Sequence, residues 1–153
     1  MSTDILAAQR SSPATLAQLL SGVPDDVLHR RPAPGKWSIV EIIAHLAEDE
    51  LSSSWRYRQM IEHDGAPLLG FDQDLWSRLG DYATWTTHDA LEMFRLLRLA
   101  NVALLSRLSP VEWERSGTHA ERGRLTVRSL ASHMVGHDSN HIVQIQRLLA
   151  GGV

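Results

Sequence analysis

The sequence predicts an all-α protein built as a four-helix bundle. Four segments carry apolar residues at helical spacing, and three of them begin at residues that favour helix starts. No window alternates apolar and polar residues with the β-branched enrichment of a strand. Amphipathic helices of about 20 residues bury their apolar faces against one another, which favours a bundle. A length of 153 residues fits one domain spanning residues 1–153.

The first predicted helix covers residues 3–21. Gly22, Val23 and Pro24 follow it, and a glycine followed by a proline is a common helix ending. Pro13 lies inside this segment and lacks the backbone N–H of a helix interior. We therefore expect a break or kink near residues 11–12.

The second predicted helix begins at Ser38 and ends near Ile61. Ser38 and Glu41 have the S-x-x-E spacing of a capping box, in which each side chain accepts a hydrogen bond from the other residue's backbone N–H. The irregular segment that follows contains several aromatic residues. Within it we expect one short helix near residues 72–79.

The third and fourth helices also begin at threonines. Thr86 and Asp89 form a second predicted capping box, before a helix that we expect to end near Leu108. Thr126 is the expected cap of a helix that ends near Leu149. Between them, residues 111–124 are expected to form a polar connection that contains Gly117 and Gly123.

Composition excludes several classes of protein. The chain has no cysteine, which excludes disulfides, thiolate metal sites and cysteine nucleophiles within the chain. Its formal net charge is −3 without a basic stripe, so we expect no nucleic-acid partner. Apolar runs fall short of the ~20 residues of a transmembrane helix, and we expect a cytoplasmic protein.

Three histidines follow one ridge of the fourth helix. His133, His137 and His141 are spaced four residues apart. At about 100° per residue, His141 lies about 40° from the centre of the apolar stripe, His137 about 80° and His133 about 120°. His137 and His141 are therefore the better pair for a metal ion such as zinc or nickel. The alternative is that they are structural residues at the edge of the core.

A metal site needs at least one further protein ligand. Spacing alone leaves the choice open among the carboxylate of Asp49 and the other histidines, which are His29, His45, His63, His88 and His119. Asp138 follows His137 where an H-E-x-x-H motif would have glutamate, so a protease of that type is not supported.

Three passages resemble the DinB-like superfamily, which includes YfiT-like metal-dependent hydrolases and thiol-dependent S-transferases. The passages are residues 35–46 (GKWSIVEIIAHL), residues 133–141 (HMVGHDSNH) and residues 142–145 (IVQI). Their order and spacing agree with the family pattern along nearly the whole chain. The resemblance implies an up-down-down-up bundle with a divalent metal, zinc or nickel, on three histidines. Carried over by position these are His45, His137 and His141, of which His45 rests on the resemblance alone.

Residues beyond the ligands can orient metal-bound imidazoles by accepting a hydrogen bond from the second ring nitrogen. For this role we expect Asp49, one turn after His45, together with His133 and Asp138. The alternative for both carboxylates is that they are solvated helix charges, and this alternative is the stronger one for Asp138.

The resemblance implies a transferase in which the metal activates a low-molecular-weight thiol of the bacillithiol or mycothiol type against an electrophilic small molecule. Arg56 or Arg58 would then be available for the carboxylates of such a thiol. The alternatives are a hydrolase that uses metal-bound hydroxide, and a non-catalytic, stress-related bundle. We also expect such a bundle to form a homodimer.

Overall fold

The computed structural model describes residues 2–152. In chain order its elements are α1 (Ser2–Leu20), α2 (Asp25–His29), α3 (Ile39–Glu62), β1 (Ala66–Leu68), α4 (Gln73–Leu79), a 3₁₀ turn (Tyr82–Thr84), α5 (Thr87–Leu105), α6 (Pro110–Trp113), β2 (Ser116–His119), β3 (Gly123–Thr126) and α7 (Val127–Leu149). In this described part of the chain, no helix has both the length and the apolar character needed to cross a membrane.

Two clusters of buried apolar residues show how the four long helices run. One cluster joins the C-terminal ends of α1 and α7 to the N-terminal halves of α3 and α5. The other joins the opposite ends of α3, α5 and α7, with the start of α1 packed against it. Helices α1 and α7 therefore run in one direction and α3 and α5 in the other. The predicted up-down-down-up four-helix bundle is confirmed.

The predicted helix starts are also observed. Ser38 and Glu41 form a complete capping box at the start of α3. Thr126 forms one with Ser129 at the start of α7. At the start of α5 only half of the predicted box is formed: Thr86 accepts the backbone N–H of Asp89, without the return bond to the Asp89 side chain. Helix α5 ends at Leu105, earlier than expected, and the short helix α4 begins after Asp72 as predicted.

Helix α1 continues through Pro13. Of the break or kink predicted near residues 11–12, the break is therefore wrong. Because proline has no N–H, the carbonyl of Gln9, four residues earlier, loses its partner within the helix. In the structure that carbonyl accepts a hydrogen bond from Arg98 Nη1 on α5 at 3.3 Å. A tertiary contact thus satisfies the backbone group that the proline leaves free.

The segments that connect the long helices contribute three short strands, which form one sheet. The expectation of no strands is therefore wrong. Strand β1 pairs in parallel with β2, which pairs antiparallel with β3, in the order β1-β2-β3. Residues 111–124, predicted only as a polar connection, contain most of α6, all of β2 and the start of β3. Each strand has only three or four residues, which is too short for an alternating pattern to be visible in the sequence.

Gly117 allows β1 and β2 to approach closely. A Cβ built on Gly117 would lie 2.6 Å from Leu68 Cγ and 2.8 Å from the backbone oxygen of Ala66. We expect Gly117→Ala to lower the free energy of unfolding by about 1–3 kcal/mol, because backbone and a buried leucine would have to move. Chemical denaturation measures the change.

The matched control is Gly136→Ala. Gly136 lies within α7, and a Cβ there would meet nothing within 4 Å. We expect this substitution to raise the free energy of unfolding, because alanine is the better helix former by about 1 kcal/mol. Equal effects of the two substitutions would contradict the packing explanation.

Candidate metal centre

Three histidine side chains converge on one point between α3 and α7. The Nε2 atoms of His45 and His137 are 3.1 Å apart, and those of His137 and His141 are 3.2 Å apart. One ring nitrogen from each of the three lies within 4.8 Å of the others. Metal–nitrogen bonds of 2.0–2.1 Å in tetrahedral geometry place two nitrogens roughly 3.3 Å apart. The three residues present thus fit a divalent metal ion.

Helix periodicity singles out His137 and His141 but not His45, and the structure shows why. The first nine residues of α3, Ile39 to Ala47, are all buried. A helix segment buried on all sides has no solvent face against which an inward direction can be defined. His45 is 3% exposed, and the ring of Trp37 packs on it with a centroid distance of 5.1 Å.

Burial keeps the three imidazoles neutral at pH 7. Burial, reinforced by the neighbouring histidines, lowers the pKa of His45 to about 3. Burial and the proximity of His141 lower the pKa of His137 to about 4. The pKa of His141 is also lowered, mainly by burial. Neutral imidazole is the form that binds a metal, so no proton has to be displaced at neutral pH.

The second ring nitrogens of the triad have different surroundings. His141 Nδ1 donates a hydrogen bond to Gln144 Oε1 at 2.8 Å. His137 Nδ1 lies 3.4 Å from Asp49 Oδ2 but forms no hydrogen bond with it. Like His45 Nδ1, it is buried without a hydrogen-bond partner among the described residues. Asp49, expected beside His45, therefore lies beside His137. Sequence reasoning assigned no role to Gln144, although its position three residues after His141 on one helix was the available signal.

We expect Gln144→Ala to weaken metal binding about tenfold, because the substitution removes the acceptor that holds the His141 ring with Nε2 free. Competition with a metal-binding dye measures the affinity. Gln146→Ala is the matched control, because Gln146 is also exposed on α7 and its side chain is outside the triad. Equal affinities of the two variants would show that water replaces the Gln144 contact.

The other predicted site residues lie outside the triad. His133 is exposed at the rim, with its Nε2 atom 3.2 Å from Arg122 Nη1 and its ring 6.0 Å from that of His137. Asp138 is 1% exposed and forms an ion pair with Arg98, with Oδ2 2.6 Å from Nη1. The interpretation of Asp138 as a solvated charge is wrong, and its carboxylate is engaged away from the triad nitrogens.

The remaining candidate histidines do not join the triad within residues 2–152. His29 contacts the backbone oxygen of Trp85, whereas His63 and His88 are exposed. His119, at the end of β2, is 4% exposed.

A cleft of about 270 Å³ opens beside the triad. His45 and His137 contribute to one part of its lining. The other lining residues are Asp49, Arg56, Gly70, Phe71, Gln73, His119, Glu121, Arg122 and His133. Of the two arginines considered from sequence, Arg56 is buried in this lining, whereas Arg58 is exposed and contacts Ser54. The cleft gives a small molecule access to the triad.

These features define a class: up-down-down-up helical bundles that carry three converging histidines beside a small cleft. The model of the DinB superfamily matches residues 9–145, so the chain belongs to that superfamily. The resemblance found in the sequence is confirmed.

Two relatives among curated proteins are named as candidate metal-dependent hydrolases. YfiT of Bacillus subtilis is 25% identical over 137 residues, which cover 89% of this chain and 77% of YfiT. A relative from Oceanobacillus iheyensis is 22% identical over 135 residues, covering 88% of this chain and 78% of that protein.

Two solved structures share the fold. YfiT, described as a probable metal-dependent hydrolase with an unusual four-helix bundle topology, superimposes with a TM-score of 0.91 at 22% identity, covering 99% of this chain and 89% of YfiT. A mycothiol-dependent maleylpyruvate isomerase superimposes with a TM-score of 0.75 at 13% identity, covering 95% of this chain and 60% of the isomerase. At these identities the likeness establishes the fold.

Proposed function

We propose that this protein holds one divalent metal ion on His45, His137 and His141 and is a metal-dependent enzyme acting on a small molecule. The convergence of three neutral imidazole Nε2 atoms beside an open cleft carries this proposal. A divalent ion held by three imidazoles lowers the pKa of a bound water or thiol and so supplies a nucleophile at neutral pH.

Zinc and nickel are the ions that we propose. Imidazole nitrogen is a suitable ligand for both, and the chain offers no thiolate. The distances between the Nε2 atoms fit both tetrahedral and octahedral coordination, so the donor set supports the ion class rather than one element.

We propose further that the nucleophile is a low-molecular-weight thiol, which would make the protein an S-transferase for electrophilic substrates. Because the chain has no cysteine, such a thiol has to enter as a cofactor. The fold neighbour named as mycothiol-dependent supports this choice.

Asp49 is the residue of this chain best placed to accept the proton of the nucleophile. Its carboxylate lines the cleft, and Oδ2 is 3.4 Å from His137 Nδ1. Burial raises the pKa of Asp49 above its usual range, although Arg56 and other cations act in the opposite direction. A raised carboxylate pKa brings the group closer to the value that suits a general base near neutral pH.

Hydrolysis is the second candidate function, and the names of the curated relatives favour it. In that reaction the nucleophile is water, and the Asp49 carboxylate would accept its proton. The two candidates share the triad and the cleft and differ only in whether a thiol is consumed.

The test is to incubate the metal-loaded protein with a panel of low-molecular-weight thiols and electrophiles, including a chlorinated arene and an epoxide. We expect consumption of one thiol that depends on the metal and is absent in the His137→Ala/His141→Ala variant. Turnover of a substrate in thiol-free buffer would instead support hydrolysis. Absence of both activities at full metal occupancy would contradict the proposal for these substrate classes.

A further inference from the structure

The ring of His119 is held with one nitrogen as an acceptor and the other free to donate. Its Nδ1 atom accepts hydrogen bonds from the backbone N–H groups of Glu121 at 3.2 Å and Arg122 at 3.4 Å. An imidazole nitrogen that accepts carries no proton, so the proton of the neutral ring is on Nε2. Burial, with Arg56 and Arg122 nearby, lowers the pKa of His119 and keeps the ring neutral.

The Nε2 edge of His119 lies against Gly70 in the cleft lining. A Cβ built on Gly70 would be 3.4 Å from both Cε1 and Nε2 of His119. A glycine here therefore leaves the Nε2–H edge uncovered. In the described part of the chain no protein group accepts a hydrogen bond from this N–H, although the residue is only 4% exposed.

Arg56 forms the same wall of the cleft. Its Nη2 donates to the backbone oxygen of Leu69 at 2.8 Å, and the guanidinium carbon lies 5.7 Å from the centroid of the Phe71 ring. These contacts hold a buried guanidinium beside residues 69–71, with Nε and Nη1 not used in any hydrogen bond within the described residues. An arginine held in this way is pre-organised to donate to an anion.

We propose that Arg56 and His119 form a subsite that binds a carboxylate group of the substrate or thiol, in the same cleft that His45 and His137 line. The role in a substrate rests on the proposed function, whereas carboxylate binding itself does not. A volume of about 270 Å³ corresponds to a sphere about 8 Å across, so one small molecule reaches both the subsite and the triad.

The subsite would bind an anion through hydrogen-bond donors rather than through an excess of positive charge. Asp49 and Glu121 also line the cleft and balance the charges of Arg56 and Arg122. Two side-chain donor groups match the two oxygens of a planar carboxylate, whereas a phosphate would leave further oxygens without partners. These considerations favour a carboxylate over a phosphate.

The test uses ¹⁵N-labelled full-length protein, both metal-free and zinc-loaded, titrated with acetate, acetamide and inorganic phosphate while the His119 ring nitrogens are followed by NMR. We expect acetate to shift the Nε2 resonance saturably in the metal-free protein and acetamide to have no such effect. We expect Arg56→Gln to weaken acetate binding about tenfold, because a charge-assisted hydrogen bond is lost.

Two further variants complete the design. Gly70→Ala covers the Nε2 edge without changing His119 and is expected to weaken acetate binding, whereas Arg58→Gln, on the exposed face of α3, is expected to leave it unchanged. Circular dichroism verifies that each variant is folded.

Four results would overturn the subsite. These are equal binding of acetate and acetamide, tighter binding of phosphate than of acetate, no saturable shift with acetate, and acetate binding that requires zinc and disappears in the His137→Ala/His141→Ala variant. Because the metal-free protein is titrated as well, a failure of metal binding is distinguishable from a failure of the subsite.

Discussion

The His137→Ala/His141→Ala variant is expected to contain no bound metal, whereas the wild-type protein, purified without chelators, contains close to one equivalent. This variant loses two of the three converging Nε2 atoms. His45 alone is not sufficient to bind the ion, because a metal site in a protein needs several protein ligands. Elemental analysis of both proteins, before and after addition of zinc, nickel and manganese, measures the effect.

His133→Ala is the matched control for this experiment. His133 lies on the same ridge of α7, one turn before His137, but it is exposed and outside the triad. We expect this variant to keep its metal. His45→Ala tests the ligand that the sequence indicated only through resemblance, and we expect it to lower metal content as well. A wild-type protein that stays metal-free after metal addition would show that the histidines are structural.

The second large effect concerns a buried polar network to which each of the four long helices contributes at least one residue. Arg98 on α5 contacts Asp138 on α7 and Glu50 on α3, with Nη2 2.8 Å from Glu50 Oε2, and it also donates to the carbonyl of Gln9 on α1. Asn101 donates to Glu50 Oε1 at 2.8 Å. Arg98, Glu50 and Asp138 are each 1% exposed.

We expect Arg98→Met to lower the free energy of unfolding by about 3–5 kcal/mol, because it leaves two buried carboxylates without their cation. The opposing influences at Arg98 show how strongly the groups are coupled. Burial acts to lower the pKa of Arg98, but Glu50 and Asp138 outweigh it and raise that pKa. Urea denaturation followed by circular dichroism measures the loss.

Two variants isolate the cause of this loss. Arg95→Met removes an arginine one turn earlier on α5 whose partner, Glu92, is on the surface, and we expect little change. The triple variant Glu50→Gln/Arg98→Met/Asp138→Asn removes all three charges together and is expected to recover part of the stability. If Arg98→Met and Arg95→Met were equally stable, the network would contribute nothing to the fold.

Short-range patterns in the sequence were sufficient to predict the four long helices. A capping box at Ser38, a threonine cap at Thr126 and apolar spacing predicted where α3 and α7 begin, since these signals depend on residues within one or two turns. The same spacing placed His137 and His141 on one ridge. Family resemblance, not periodicity, indicated His45, because the first part of α3 is buried on every side and has no polar face.

The tertiary structure alone decided the features that depend on distant residues. Strand β1 pairs with a segment about 50 residues away, Ala66 with Gly117, and all three strands are too short to show a period. Asp138 appeared in the sequence as one more charge on a helix until its partner on α5, 40 residues away, was in place. The spacing of residues along one helix specifies only the direction in which each side chain points from that helix. Which groups meet in the interior, and which backbone atoms they satisfy, is determined only when the helices pack.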